Sequence, residues 1–247
     1  GSDPRDGGAT ETGTTPVVLR VDPTLDEGRD PAPGFIVRAV ATRDEGPGST
    51  VLTHSYVFPD QVAALSPHGE RPGASWPWPY ETNDIHDERH AMDYGIDLRV
   101  AEDPAYAALM HDALLAIPSI SLSTGIDHLF DDDDGIYVNP MGHGAEWERP
   151  ASLEILDPAD THEVQADMGL RIRGGWSRHA SNPKHAFRFF FRGDYGDTKL
   201  RFPLFEDEGV DTFDKMDLRT AQNIAWSFKG SAGRENTFLR DVLSRDL

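Results

Sequence analysis

The sequence predicts a mixed α+β fold in which short antiparallel strands outnumber the helices. Runs of alternating apolar and polar residues, separated by turn-forming segments rich in Gly, Pro, Asp and Asn, recur along the chain. Two other segments, residues 103–117 and 231–247, have apolar residues at helical spacing. No apolar run approaches the roughly 18 residues that a membrane-spanning helix requires. Together these observations favour antiparallel sheet with a few helices packed around it.

The composition is that of an acidic protein with enough apolar residues for a packed core. The chain has 247 residues, a hydrophobic content of 38% and a formal net charge of −20. This charge argues against non-specific nucleic-acid binding, because phosphates would be repelled except at a local basic patch. The absence of cysteine excludes disulfides, thiolate metal sites and cysteine nucleophiles. The first residues show neither the basic nor the apolar region of a signal peptide.

Residues 1–57 are predicted to form the first unit, which is rich in strands. Residues 17–21 have the composition of a strand. Two β-rich runs then flank the turn-former DEGPGS at residues 44–49, and the alternation in the first of them is that of a half-buried hairpin. This stretch resembles the end of the chitobiase-type immunoglobulin-like module of extracellular bacterial enzymes. The resemblance implies that residues 1–57 are the carboxy-terminal strands of a β-sandwich.

Residues 58–100 are predicted to form a connecting loop, because they are rich in proline and contain Trp76 and Trp78. A helix of about three turns follows. Asp103 is its expected N-cap and Pro104 occupies the first helical position. Its predicted apolar stripe consists of Leu109, Leu114 and Leu115.

Five strands and a last helix are predicted in the remainder of the chain. The strands are expected at residues 119–123, 151–156, 169–174, 184–192 and 213–220. Phe238, Leu239, Val242 and Leu243 have helical spacing, and this spacing continues to Leu247. We therefore expect the chain to be a piece of a longer protein.

A basic stretch inside this acidic chain is the main functional signal. Residues 168–193 contain six Lys or Arg side chains and no Asp or Glu. Strand alternation places Lys184, Arg188 and Arg192 on one face, and Arg171 and Arg173 share a face of the preceding strand. If the two strands pair, one face is apolar and the other is cationic. The cations either pair with the many carboxylates of this protein or form an anion site, for which phosphate is the best candidate.

The loop between these strands is compatible with the second interpretation. It contains Gly174 and Gly175, whose backbone N–H groups can approach a ligand closely. A double glycine is also common in plain turns, so both interpretations stay open on the residues alone.

The motifs around the basic stretch resemble the spore coat protein H (CotH) kinase family. The similar segments are GLRIRGGWSR, NPKHAFRFFFRGDYG, KLRFPLF, FDKMDLR and RENTFLRDVLSRDL, in that order. The resemblance implies that residues 101–247 are the amino-terminal lobe of an atypical kinase-like domain, an antiparallel sheet plus helices, truncated before the carboxy-terminal lobe. It also implies ATP binding with Mg or Mn and phosphorylation of a secreted or surface protein rich in Ser. The expected location is therefore extracellular or at the cell surface.

The resemblance assigns roles to particular residues. Lys184 would hold the nucleotide phosphates and Glu235 would orient it, as a strand lysine and a helix glutamate do in kinases. Arg173, Arg178 and Arg188 would be auxiliary phosphate ligands. The acids that complete a kinase site lie in the carboxy-terminal lobe of the family, so we expect no catalytic residue in this chain. The alternative function is a non-catalytic extracellular adhesion or structural module that binds polysaccharide or calcium.

Three other motifs contain the residue types of a binding site and are interpreted as structural. His86 and His90 are spaced like zinc ligands on a helix, but the glutamate of the zincin pattern is misplaced and no helical period surrounds them. Residues 131–134 are four aspartates that do not follow the EF-hand spacing. Trp76 and Trp78 could stack on sugar rings, although packing of the loop is the simpler role.

Overall fold

A five-stranded antiparallel sheet forms the centre of the structure. The computed structural model describes residues 13–14, 16–19, 33–44, 48–65, 76, 82–85, 88–91, 95–96, 98–158, 164–179, 182, 184–205 and 209–220. Within these residues most of the regular structure is antiparallel strand and the helices are short. The mixed α+β class predicted from the sequence is therefore confirmed.

The helices and strands are numbered in chain order. The helices are α1 (Pro59–Ala63), α2 (Leu98–Ala101), α3 (Pro104–Ala107), α4 (Met110–Leu115) and α5 (Ile126–Phe130), with short 3-10 helices at Ala145–Trp147 and Trp176–Arg178. The strands are β1 (Gly34–Ala39), β2 (Leu52–Val57), β3 (Thr82–Ile85), β4 (Glu88–Ala91), β5 (Ser119–Thr124), β6 (Arg149–Leu156), β7 (Val164–Arg173), β8 (Ala186–Phe190), β9 (Leu200–Arg201), β10 (Thr212–Phe213) and β11 (Lys215–Leu218).

The central sheet has the strand order β11-β8-β7-β6-β5, and every neighbouring pair is antiparallel. All five strands overlap segments predicted from the sequence, but β6 begins two residues and β7 five residues before the predicted start. Two of them are shorter than predicted, since β8 spans Ala186–Phe190 rather than residues 184–192, and β11 spans Lys215–Leu218 rather than 213–220. Lys184 therefore lies two residues before its strand and not in it.

One face of this sheet carries the hydrophobic core. Leu153, Met168, Leu170 and Phe189 are almost completely buried there, at 0 or 1% exposure. Complete burial of such a side chain contributes about 1.5–3 kcal/mol to stability. Because side chains alternate along a strand, the residues between them point to the opposite, polar face of the sheet.

The first hairpin covers part of that polar face. Strands β1 and β2 pair from Gly34↔Val57 to Ala39↔Leu52, as the flanks of the DEGPGS turn predict. The backbone amide of Ser55 donates to the Glu154 carboxylate at 3.0 Å, and the Ser55 hydroxyl also contacts this carboxylate. The hairpin is thus fixed to β6 through a buried acid. The other strand predicted in this unit is wrong for residues 17–19, which lie outside any strand, and residues 20–21 lie outside the described part.

The helix predicted from Asp103 is present as two shorter helices. Asp103 caps α3 as expected, because its carboxylate accepts a hydrogen bond from the amide of Ala105 at 2.8 Å. The amide of Leu109 then bonds to Tyr106 with 3-10 spacing, and α4 begins one residue later. The predicted apolar stripe is wrong, because Leu109 is 58% exposed. The interruption between α3 and α4 breaks the single helical face on which the stripe depended.

Two other predictions are corrected or lie outside the described residues. The segment 58–100 is not wholly irregular, since it contains α1, the β3–β4 hairpin and most of α2. The last predicted helix, with Phe238, Leu239, Val242 and Leu243, lies outside the described residues. No helix in the described part is long and apolar enough to cross a membrane.

Candidate functional site

The β7–β8 hairpin separates its cations from its apolar residues as the sequence predicts. Its register places Leu170 opposite Phe189 on the core face. On the other face Arg171 is directly opposite Arg188, and Arg173 is opposite Ala186. Three guanidinium groups therefore project from a small area of the polar face that lies away from the first hairpin.

The connection after β7 turns sharply at Gly174, whose φ is +117°. A side chain is strained at this backbone conformation, and a Cβ atom would also collide with the Ser177 hydroxyl. The turn leads into the 3-10 helix Trp176–Arg178, which brings Arg178 back toward the end of β7.

These features line an open pocket of about 500 Å³. Four arginines line it: Arg171, Arg173, Arg178 and Arg188. Three of them, Arg173, Arg178 and Arg188, are the auxiliary phosphate ligands implied by the family resemblance, and the structure brings them together. The remaining walls are residues 142–144, 172, 174–175 and 190.

Glu148 holds one end of the cationic face. Its side chain is only 4% exposed, and one carboxylate oxygen accepts a hydrogen bond from Nε of Arg171 at 2.6 Å and lies 2.6 Å from Nη2 of the same arginine. The other oxygen accepts from the Tyr195 hydroxyl at 3.0 Å and lies 3.5 Å from Arg192. Burial, and then the hydrogen bond to Glu148, raise the pKa of Tyr195 to about 12. Arg171 and Arg192 also stack on the ring of Phe190, with 4.4 and 4.6 Å to its centre.

Asp217 holds the other end of the same face. Its carboxylate accepts from Nε and Nη2 of Arg188 at 2.6 and 2.9 Å, and from Nε of Arg173 at 2.9 Å. The hydrogen bond from Arg188 lowers the pKa of Asp217, and the same bond raises the pKa of Arg188. One short acid on the edge strand β11 therefore binds two of the four arginines that line the pocket.

Arg178 is bound in a different way, by backbone carbonyls. Its guanidinium donates to the carbonyl oxygens of Pro140, Gly142, Ile172 and Gly174. These four bonds use four of its five N–H donors. Burial lowers the pKa of Arg178, and the nearby charge of Arg188 adds to this effect. Arg178 therefore joins the two walls of the pocket and keeps little capacity to bind a ligand directly.

The arginines outnumber the acids that pair with them. Arg171 and Arg192 pair with Glu148, and Arg173 and Arg188 pair with Asp217, while Arg178 has no acidic partner among the described residues. Four arginines against two carboxylates leave an excess of two positive charges in these ion pairs, and Arg178 adds a third, although the carboxylate of Glu146 lies near Gly144 at the pocket edge. Pairing with carboxylates, the first interpretation of the basic stretch, is thus confirmed for four of its arginines, while the anion site stays a prediction.

Of the two principal residues of the family resemblance, only Lys184 is among the described residues. Lys184 is exposed and does not line the pocket. Glu235 lies outside the described residues. The sequence patterns did not point to Glu148 and Asp217, nor to Gly142 and Gly144. For Asp217 a usable signal was its place on the polar side of the alternating segment KMDL. An acid in a neighbouring strand is a natural partner for a cationic face.

The motifs that were interpreted as structural have local partners or lie outside the described part. Oδ1 of Asp131 accepts hydrogen bonds from the amides of Asp133 and Asp134, so the acidic run forms a turn around its own first member. The ring of Trp76 lies 5.3 Å from that of Phe130, whereas Trp78 and His86 are outside the described residues. Among the described residues, no group of three or more His, Cys, Asp or Glu could hold a metal ion.

No family model, curated protein or solved structure matches the chain. The chemistry of the pocket and the motifs in the sequence are therefore the two supports for a function.

Proposed function

We propose that the arginine-lined pocket binds the phosphates of a nucleotide, and that the chain contributes the ATP-phosphate-binding part of a CotH-like atypical protein kinase. The phosphate acceptor would be Ser or Thr of a secreted or surface protein. The observation that carries this proposal is the convergence of four arginines on a pocket of about 500 Å³ in a chain with a net charge of −20.

Phosphate is the anion that these donors fit best. A guanidinium group presents N–H donors in a planar fork that matches two phosphate oxygens. Asp217 uses two N–H donors of Arg188 and one of Arg173, and the remaining donors of these two side chains can bind further oxygens of the same ligand. The excess of positive charge favours an anion with several charges, such as a di- or triphosphate, over a simple carboxylate.

The fold and the motifs give further support to the kinase part of the proposal. An antiparallel sheet with helices is compatible with a kinase-like small lobe, and the β7–β8 hairpin contains the motif GLRIRGGWSR. The hairpin β1–β2 would then be the remnant of the preceding β-sandwich. The resemblance assigns phosphate binding to Lys184 and its orientation to Glu235; in our proposal the pocket arginines hold the phosphates and Lys184 adds one charge near them. Arg178 acts by shaping the pocket and by its charge.

A divalent metal would come with the nucleotide rather than from the described part of this chain. The described residues offer no group of acids or histidines that could hold Mg or Mn. The contribution we assign to these residues is therefore limited to binding and orienting the phosphates, and it contains no catalytic step.

Calorimetric titration with ATP, with and without Mg, tests the proposal. We expect the wild-type chain to bind ATP and the variant Arg173→Gln to bind at least about tenfold more weakly, which corresponds to about 1.4 kcal/mol. The matched control is Arg201→Gln, since Arg201 is an exposed arginine on β9 that does not line the pocket. Absence of ATP binding, or equal weakening by both substitutions, would contradict the proposal.

A further inference from the structure

The two acids that hold the cationic face differ in how firmly they are fixed. The side chain of Glu148 is 4% exposed and is bound by Arg171, Arg192 and Tyr195. The side chain of Asp217 is 25% exposed, and the residue lies on β11, which is at the edge of the central sheet. Ion pairs that border solvent contribute little to stability, so the contacts of Asp217 can be exchanged at small cost. The contacts of Glu148 cannot be exchanged in this way, because its buried carboxylate would lose its partners.

Asp217 also has the geometry of a bound anion. Its two carboxylate oxygens collect three N–H groups from Arg188 and Arg173 at 2.6–2.9 Å. This is the arrangement in which guanidinium groups bind a phosphate. A terminal phosphate group has more charge than a carboxylate and one more oxygen, so it can satisfy the same donors and additional ones.

We propose that Asp217 occupies the position of one phosphate group between Arg173 and Arg188, and that a ligand must displace it in order to bind. The inference rests on the proposed function and adds an affinity-determining residue to the same pocket. Rotation about the Cα–Cβ bond of Asp217 is sufficient to free three N–H donors. Since only molecules with Asp217 displaced bind ligand, the apparent affinity is lower than the intrinsic affinity by the fraction of such molecules.

Displacement of Asp217 and simple repulsion of the ligand by Asp217 predict different dependences of affinity on ligand charge. If Asp217 must leave the arginines, its removal increases the affinity of every ligand that uses this position by a similar factor. If Asp217 stayed in place and only repelled the ligand, the gain would grow with the charge of the ligand, from pyrophosphate and ADP to ATP.

The test compares wild type with Asp217→Asn in calorimetric titrations with pyrophosphate, ADP and ATP. Asparagine has nearly the same shape, and we expect it to increase the affinity for all three by a similar factor of at least about five. Asp214→Asn is the matched control, because it removes the same charge from an exposed residue three positions earlier, and it is expected to change affinity by less than about twofold. Unchanged or weaker binding by Asp217→Asn would overturn the inference.

A second measurement uses the wild-type chain and does not depend on the stability of a variant. The ¹³C resonance of the Asp217 carboxyl group, with its pH titration, is followed by NMR while ATP is added. Displacement predicts that the resonance moves and that the pKa of Asp217 rises when the arginines release it. A resonance that stays in place at saturation would show that Asp217 remains bound and would overturn the inference. If no anion binds to the wild-type chain or to any variant, the proposed function and the inference about Asp217 both fail.

Discussion

Arg171 and Arg188 lie directly opposite one another in the β7–β8 pair. Like charges at such positions destabilise a sheet, because the two side chains are close neighbours on one face. The structure compensates by pairing the two arginines with different acids, Arg171 with Glu148 and Arg188 with Asp217. The hairpin therefore retains its cations only because acids from other segments, one before β6 and one in β11, reach the same face.

The first prediction concerns the stability that Glu148 contributes. Glu148→Gln removes the charge that offsets Arg171 and Arg192 in a buried position. We expect the free energy of unfolding to fall by about 2 kcal/mol, because the partly exposed Arg171 and Arg192 lose charge-assisted contacts with a buried acid. Urea unfolding followed by circular dichroism measures this loss.

The control for this experiment is Glu146→Gln, two positions earlier and exposed. It should change the free energy of unfolding by no more than about 0.5 kcal/mol. A loss below about 1 kcal/mol in Glu148→Gln would mean that the buried carboxylate is not what holds Arg171 and Arg192 in place.

The second prediction is a pH dependence that originates at Asp217. The arginines lower the pKa of Asp217 in the folded protein below its ordinary value of 3.8. Its contribution to stability is therefore complete above the ordinary pKa, and it is lost as the pH falls through the lowered folded value. Because the pair borders solvent, we expect a contribution of no more than about 1 kcal/mol.

The measurement compares the unfolding of wild type and Asp217→Asn between pH 7 and pH 2. The difference between the two proteins should be constant from neutral pH to about pH 5 and should shrink toward zero below about pH 4. A difference that is independent of pH would mean that Asp217 stabilises the fold by something other than its charge.

The third prediction concerns Arg178 as the link between the two walls of the pocket. Arg178→Lys keeps a positive charge but offers three donors where four carbonyls are bound. We expect the free energy of unfolding to fall by about 2 kcal/mol, since buried carbonyls are left without donors. We also expect weaker ATP binding in spite of the conserved charge. Arg201→Lys, on the exposed side of β9, should have neither effect.

The sequence was sufficient to predict the sheet strands and the separation of charges on β7 and β8, because both depend on local alternation. Leu170 and Phe189 are buried and Arg171 and Arg188 are not part of the core, as a period of two requires. The partners of the cations could not be predicted in the same way. Glu148 is 23 residues from Arg171, and Asp217 is 29 residues from Arg188, so their contacts depend on the order of strands in the sheet.

The failed helix prediction has a related physical reason. The spacing of Leu109, Leu114 and Leu115 indicates a stripe only if one helix continues through all three residues. The chain instead ends α3 at Ala107 and begins α4 at Met110. Local spacing does not contain the information that decides where such a short helix is interrupted.

The last prediction separates the pocket from the lysine that the family resemblance selects. Lys184 is exposed, lies outside β8 and does not line the pocket, whereas Arg173 lines it. We therefore expect Lys184→Gln to weaken ATP binding by less than about threefold, through the loss of one screened charge near the phosphates. Arg173→Gln should weaken it by at least about tenfold, because a direct charge-assisted hydrogen bond is lost. Calorimetric titration at two salt concentrations measures both effects. A larger loss in Lys184→Gln than in Arg173→Gln would place the phosphates at Lys184 and outside the arginine-lined pocket.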